Sequence, residues 1–389
     1  MAHRKLTALL HLVGILATVY SQNLTYVKTL YKDLFSDYTQ EIMPMADHSK
    51  PLNIGINFYL ASLNYFKEVE EMVSILGVFS LNWTDPSLAW NPASYGYLYS
   101  TIIDPKDMWL PSLFLINRVD TMKPIGHEIT FLTSLIYNGM VYYTPGSILQ
   151  AKCPTDISKF PFDTQECILE ILPWGVMTTH LTLTSLSDNA HLDWYTPNSD
   201  WTLTEYSTSV GIRSGYNLFF FKMRIKREPL YYTVIIILPT LLFAVLNPLV
   251  FVLPVASGER VSLAMTILLA YAIFLTLVSA SIPASSNPMC FLLVIMIVII
   301  AISGIITCGA IISAKYYYIE DIDDVWSLLV RFTRWRVKRK KNSVFPIDEK
   351  KEITATGKDV AHAVDFLFFY GSNIALMICA ISYFVSVFV

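Results

Sequence analysis

The sequence predicts an exported β-sandwich followed by a bundle of four membrane-spanning helices. Three observations predict it. The 389 residues are 54% hydrophobic and only 15% charged, against about a quarter charged in an ordinary soluble domain. Charged residues are missing altogether from Pro229 to Gly258, from Val261 to Ala314 and from Phe366 to Val389. Ahead of the first of these stretches lie short β-branched and aromatic runs broken by Pro, Gly and Asn, the pattern of half-buried strands.

Residues 1–21 come first. His3-Arg4-Lys5 is a basic start, Leu6 to Val19 an apolar stretch, and Val19-Tyr20-Ser21 a small-residue cleavage site. Together these predict a signal peptide and not a fifth span. Residues 22–228 are then exported, in agreement with two N-x-[ST] glycosylation sequons at Asn23 and Asn82. Within them, residues 24–38 carry apolar side chains at helical spacing and predict one short opening helix. The runs Leu52–Leu63, Val73–Trp83, Ile129–Tyr143 and Leu218–Ile225 predict strands of one sandwich. No internal repeat or low-complexity tract interrupts them.

A helix that crosses the hydrocarbon core needs about 20 apolar residues. The charge-free stretches supply four such helices, at about 230–253, 260–281, 289–313 and 366–388, with the turn Pro283–Pro288 dividing the longest stretch in two. Three of them fall in 229–314 and the last in 365–389, around a cytoplasmic segment at 315–364. That segment concentrates seven cations between Arg331 and Lys341. Basic loops stay cytoplasmic, so the N-terminal region and the C-terminus lie outside. The run reads as a topology signal and an attractor of lipid headgroups before it reads as a shaper of ion exit. Helical pieces at 322–335 and 351–364 flank it.

Other function classes find little support. The net charge of −3 does not provide the broad basic face that nucleic acid requires, so no nucleic-acid partner is expected. Seven scattered histidines form no metal-ligand pattern, five cysteines are too few for a disulfide-dense scaffold, and no phosphate loop or GxSxG occurs. No metal, cofactor or enzymatic activity is expected. A four-span enzyme or transporter would carry ionisable residues inside its spans, and the charge-free stretches have none.

The most specific motif is Cys153-Pro-Thr-Asp-Ile-Ser-Lys-Phe160-Pro161-Phe162-Asp163-Thr-Gln-Glu-Cys167. Others follow the same order along the chain. They are Trp83-Thr-Asp85-Pro-Ser-Leu88-Ala-Trp90-Asn-Pro, Asp107-Met-Trp109-Leu-Pro111 with Asn117, Arg227-Glu-Pro229-Leu-Tyr231, and Ser257-Gly-Glu259-Arg260 before a helix that ends in Ile282-Pro283. By these motifs the chain resembles the pentameric Cys-loop ligand-gated ion channels, and their nicotinic acetylcholine receptor branch most closely. The resemblance covers nearly the whole chain after the signal peptide. It implies a pentamer of identical or homologous subunits around a central pore, in the plasma membrane, with a synaptic site one expectation. It also implies a disulfide between Cys153 and Cys167, closing a loop worth about 3 kcal/mol through lost chain entropy. A structural staple accounts for the cysteines alone. The apolar tip Phe160-Pro161-Phe162 is better explained if it rests on the membrane helices.

In the second span, Ser262, Thr266, Leu269, Ile273, Thr276 and Ala280 recur every three or four residues and share one face. Periodicity alone serves a pore wall and a helix-packing face equally well, since Ser and Thr also join membrane helices. The resemblance implies the pore wall. Five Glu259 carboxylates would then ring its cytoplasmic mouth and favour monovalent cations, where anion-selective relatives carry an extra proline and alanine. Leu269 is the expected gate and Ile273 the next candidate, while Arg260 is expected to point away from the lumen. The resemblance also implies coupling residues: Arg227 paired with Glu68, and Phe160, Pro161, Phe162 and Val69 meeting the 281–287 loop that contains Pro283. A snorkelling juxtamembrane role for Arg227 remains the alternative.

The aromatic cage that holds a quaternary ammonium in nicotinic receptors is incomplete. Trp174 and Tyr216 match two of its rings, while Ile116 and Val78 stand where a tyrosine and a tryptophan are expected. The capping segment between Tyr206 and Tyr216 is short, lacks the adjacent cysteine pair, and carries Arg213, which repels a cation. Acetylcholine is therefore a doubtful agonist. The sequence predicts a ligand-gated, cation-selective channel subunit with a small-molecule agonist of another identity and a membrane-lipid environment. The alternative is an accessory subunit that binds no agonist.

Overall fold

The computed structural model describes residues 23–280, 282, 283, 288–320, 325–342 and 356–388. The expected signal peptide, most of the 281–287 loop, and the start of the expected 351–364 helix lie outside the described residues. The chain divides into two compact units. One comprises 23–67, 71–155 and 165–225; the other comprises 68–70, 156–164 and the chain from 226 onward.

The first unit opens with helix α1 (Leu24–Phe35), capped by the Asn23 side chain, which accepts from the Thr25 amide at 3.1 Å. It buries Leu30. Eleven strands follow: β1 (Leu52–Lys67), β2 (Met72–Ala89), β3 (Ser100–Ile103), β4 (Leu113–Leu115), β5 (Thr133–Ile136), β6 (Asn138–Tyr143), β7 (Gly146–Lys152), β8 (Thr164–Pro173), β9 (Leu181–Ser185), β10 (Trp201–Arg213) and β11 (Tyr216–Arg227). They form a seven-stranded sheet in the order β3-β5-β6-β2-β1-β9, with β7 also on β2, and a four-stranded sheet in the order β10-β11-β8-β4. Alternation decides which side chains go inward. Ile54, Ile56, Phe58 and Leu60 of β1, with Val73, Ile75, Phe79, Leu81 and Trp83 of β2, are buried. Phe58 joins the two sheets, its ring 4.9 Å from Phe79 and 4.6 Å from Phe221. Each such side chain contributes roughly 1.5–3 kcal/mol of burial.

The single strand expected over Ile129–Tyr143 is instead a hairpin of β5 and β6, pairing Thr133 with Tyr143 and Leu135 with Val141. The chain turns at Tyr137, and Asn138-Gly139 opens β6. Gly139 has φ +81°, and a Cβ there would meet the Asp85 carbonyl oxygen at 2.4 Å. Asn-Gly between apolar runs is a strong hairpin signal, and the aromatic run around it conceals the signal.

Among the described residues the second unit holds four helices long and apolar enough to cross a membrane. They are α2 (Leu230–Val252), α3 (Arg260–Ala280), α4 (Phe291–Tyr317) and α6 (Gly357–Phe388), with α5 (Ser327–Asn342) between the last two. Phe251, Ala264, Tyr271, Ile299, Ile306 and Ala310 pack their common core. Two boundaries depart from expectation. The separate helices expected at 351–364 and 366–388 are one continuous α6, begun by a capping pair in which Asp359 accepts from the Thr356 amide at 2.9 Å. The helix expected at 322–335 starts at Ser327 and runs on to Asn342. Val330 and Thr333 form its buried stripe, and the cations at 331, 334, 338 and 339 point outward.

Candidate functional site

Helix α3 turns about 100° per residue. On that wheel the expected wall residues Ser262, Thr266, Leu269, Ile273, Thr276 and Ala280 fall within one narrow sector, and all six are exposed, as is Glu259 just before the helix. Leu269 is 62% exposed and Ile273 52%. The opposite sector holds Arg260, Ala264, Ile267, Tyr271 and Val278, all buried against the other helices. The hydroxyls of Thr266 and Thr276 donate to their own helix, to the Ser262 carbonyl at 2.9 Å and the Ile273 carbonyl at 2.7 Å. Each therefore turns its oxygen lone pairs outward, a surface that suits cations.

Arg260 turns the other way. It is 3% exposed and donates to Asp365 of α6 at 2.7 Å and 3.1 Å, to Ser313 at 3.1 Å, and to the Phe251 and Leu253 carbonyls. Sequence reasoning places this residue but misses Asp365, because the last charge-free stretch begins at Phe366. The bundle thus contains a buried ion pair although the charge-free stretches do not.

A second cluster joins residues far apart in sequence. Arg227, 2% exposed, donates from Nε and Nη2 to Asp163 at 2.7 Å and 3.1 Å and from Nη1 to Glu68 at 2.6 Å. Its guanidinium lies 5.0 Å from the ring of Phe160 and 5.1 Å from that of Tyr232. Burial alone would lower the Arg227 pKa, but the Asp163 and Glu68 carboxylates outweigh it and raise the value. Phe160, followed by a cis bond to Pro161, is buried with Ile236, Val278 and Ile282. Pro283 is buried as well. Phe162 packs on Phe388, with ring centroids 4.9 Å apart.

The expected Arg227–Glu68 pair is present, and the geometry adds to it. The main carboxylate partner of Arg227 is Asp163, since it makes two bonds and is the more deeply buried. Burial of Arg227 also argues against snorkelling. Val69 sits on the β1–β2 turn and is 59% exposed; most of the 281–287 loop that it is expected to meet lies outside the described residues.

Cys153, just past β7, and Cys167 of β8 are disulfide-bonded and fully buried. Asn23 is exposed, whereas Asn82 is half-buried within β2 in a pocket that also includes Gly55 and Leu186.

The expected cage residues are divided between the two sheets. Trp174, 55% exposed, follows β8. Arg213 and Tyr216 flank the two-residue turn Ser214-Gly215, at φ +53° and +83°. The capping segment is thus a tight β-hairpin, with Tyr206 in β10 packed against the sandwich core. Its tip is tied down. The hydrogen bonds that Arg213 donates to Glu170, and then the charge of that carboxylate, raise the Arg213 pKa, and the Thr178 amide donates to the Gly215 carbonyl at 3.0 Å. The Ile116 amide donates to the Glu170 carbonyl at 2.8 Å. Val78 is on the other sheet, opposite Tyr59 of β1 and Gly146 of β7.

Residues 27–229 match the neurotransmitter-gated ion-channel ligand binding domain, and residues 236–316 match the neurotransmitter-gated ion-channel transmembrane region. The chain is 32% identical over 262 residues to acetylcholine receptor subunit beta-type lev-1 of Caenorhabditis elegans, covering 66% of this chain and 50% of that protein. It is 32% identical over 254 residues to neuronal acetylcholine receptor subunit beta-2 of Carassius auratus, covering 64% and 54%. Against acetylcholine receptor subunit beta-type acr-2 of Caenorhabditis elegans the identity is 31% over 305 residues, covering 74% and 50%. The chain spans about half the length of the curated relatives it matches.

Proposed function

Given that this chain belongs to the neurotransmitter-gated ion-channel family, we propose that it is one subunit of a pentameric, ligand-gated, cation-selective channel in the plasma membrane. The sandwich is extracellular, the four apolar helices cross the bilayer, and the exposed face of α3 lines the ion path. One observation carries the reading: every residue of the sequence-derived stripe on α3 is exposed, while the opposite stripe is buried in the bundle. A helix already packed on one side presents its other side to a lumen or to a neighbour, and the hydroxyls of Ser262, Thr266 and Thr276 on this face suit water.

Selectivity follows from charge. Arg260 is bound to Asp365 inside the bundle and Glu259 is exposed beside it, so the mouth of the path carries the negative member of the pair. Leu269 forms an apolar ring midway along, where a closed channel excludes water. Arg227, Asp163 and Glu68 tie the Cys153–Cys167 loop and the β1–β2 turn to the start of α2, which makes them the coupling element between ligand and pore.

The test is recording from oocytes that express the chain, alone and with homologous nicotinic-type subunits. Glu259→Ala shifts the reversal potential toward loss of cation preference, and an unchanged reversal potential refutes the role of Glu259. Leu269→Ser opens at lower agonist concentration; if it does not, the gate lies elsewhere, with Ile273 next.

A specific observation favours a second reading, the accessory subunit. The capping hairpin is held to its own sheet through Arg213–Glu170 and Thr178–Gly215, which leaves the Trp174 side of the cleft poorly arranged to close on an agonist. Current only with partner subunits supports this reading. Agonist-evoked current from the chain alone rules it out.

A further inference from the structure

Where α2 ends and α6 begins, α5 closes a cavity of about 340 Å³. Arg336 of α5 lines it and is fixed in two ways. Its guanidinium lies 3.9 Å from the centroid of the Phe366 ring, and Nη1 donates to the His362 carbonyl at 2.6 Å. Among the described residues it forms no ion pair, unlike Arg227 and Arg260. Burial lowers its pKa, and the nearby Tyr370 and Asp365 only partly offset this. Two acids share the wall, and both are already engaged. Asp365 holds Arg260 and Ser313, while Asp359 accepts from the Thr356 amide and hydroxyl.

The lining fits a phosphate with a greasy attachment. Nε and Nη2 of Arg336 are unbonded among the described residues. That edge is the one Arg227 uses on Asp163, and it matches two oxygens of a phosphate equally well. Residues 325–342 carry seven cations and no acid, each worth about 1 kcal/mol beside an anionic surface. The other rim of the cavity is apolar. Val252 at the end of α2, and Phe366 and Tyr370 of α6, are exposed there, and the charge-free stretch of α6 runs on from Phe366. A cation on one side and bare apolar helix on the other suit a molecule with an anionic head and an apolar tail, which favours a phospholipid over a free phosphate. The outward face of α5 agrees, since Leu328 and Trp335 are exposed among Arg331, Lys338 and Arg339, the composition of a helix resting in a headgroup layer.

We propose that this cavity is a discrete site for one anionic phospholipid, its phosphate gripped by Arg336 and its acyl chains running along Val252, Phe366 and Tyr370. The basic run then has two parts. Its exposed members make a diffuse field, and the half-buried Arg336 selects a single lipid. Asp365 is in the cavity wall and holds Arg260 at the start of α3, so the lipid sits beside the ion pair that anchors that helix. The site requires that α2 and α6 cross the bilayer and does not require that the chain conduct ions.

The experiment is native mass spectrometry of the purified full-length chain in detergent. The probes are phosphatidic acid, phosphatidylcholine with the same acyl chains, and glycerol 3-phosphate. Phosphatidic acid binds first at one per subunit and at least about tenfold more tightly than the other two, the difference a charge-assisted hydrogen bond carries. Arg336→Gln weakens it about tenfold, whereas Arg334→Gln, on the exposed side of the helix, weakens it no more than about fivefold. Val252→Trp crowds the apolar rim with all seven cations in place and also weakens phosphatidic acid. It carries the test if Arg336→Gln fails to assemble. Equal losses from the two arginine variants leave only a diffuse field and overturn the proposal. Wild-type binding by Val252→Trp overturns it too, as does glycerol 3-phosphate or phosphatidylcholine binding as tightly as phosphatidic acid. A chain that binds phosphatidic acid through Arg336 but conducts no cations contradicts the channel reading and leaves this one standing.

Discussion

Arg227 shows how much one side chain can hold in place. Its guanidinium is 2% exposed and spends its donors on two carboxylates from different segments, with Asp163 held twice and Glu68 once. Removing one partner of a buried pair leaves an uncompensated charge, at a cost of about 3–5 kcal/mol. Asp163→Ala is therefore expected to lower thermal stability and surface expression more than Glu68→Ala, because the Asp163 side chain is 1% exposed and that of Glu68 20%. Equal losses would place the main partner at Glu68. The sequence made Glu68 visible by its distance from Trp83 and hid Asp163, which reads as the end of the apolar tip. A second buried acid gives a pH prediction. Asp85 accepts from the Tyr38 hydroxyl at 2.7 Å, and burial raises its pKa. A carboxyl whose native pKa exceeds its unfolded value stabilises most below the unfolded value and loses that contribution as pH rises through the native one. Asp85→Asn should flatten the pH dependence of the melting temperature across that window, and an unchanged profile would contradict it.

Among elements, the contact between α3 and α6 is the most informative. Arg260 and Asp365 pair at 2.7 Å inside the bundle, with Ser313 donating to the same carboxylate at 2.6 Å. Asp365→Ala strands the guanidinium and is expected to cost about 3–5 kcal/mol, whereas Arg260→Met with Asp365→Leu recovers most of the loss. Thermal unfolding in detergent measures both, and a double variant as unstable as the single one would show that the pair is needed for more than charge balance. This contact also marks the limit of reading spans from hydropathy. The charge-free run begins at Phe366, whereas backbone hydrogen bonding and the Thr356–Asp359 cap start the helix at Gly357. Hydropathy locates the part of a helix that meets lipid and is blind to a charged first turn. The β5–β6 hairpin is hard to read for a related reason, a run rich in β-branched and aromatic residues on both sides of a single Asn-Gly. By contrast, β1, β2 and the α3 stripe were legible because their alternation of faces is itself the physical cause of the fold.

For the whole molecule, the resemblance motifs lie where long-range constraints are strongest. Cys153 and Cys167 both lie in the first unit, while residues 156–164 of the loop they close belong to the second, and Cys153→Ser with Cys167→Ser should cost about 3 kcal/mol, read as a lower melting temperature and lower surface yield. Wild-type melting would mean that the loop is held by packing alone. The parts of the account least legible in sequence are those that depend on contacts between distant segments. The cavity at Arg336 needs α5 laid beside α2 and α6, and no local pattern announces it. The central claim is that the exposed face of α3 walls a cation path, and substituted-cysteine accessibility tests it most directly. Single cysteines at 262, 266, 269, 273, 276 and 280, and at the buried positions 264, 267, 271 and 278, are introduced with the exposed Cys308 replaced by serine. A cationic methanethiosulfonate is then applied to open channels. The account predicts irreversible loss of current at the first six positions and none at the other four; block that follows the buried stripe, or no block at either set in a conducting channel, would contradict it.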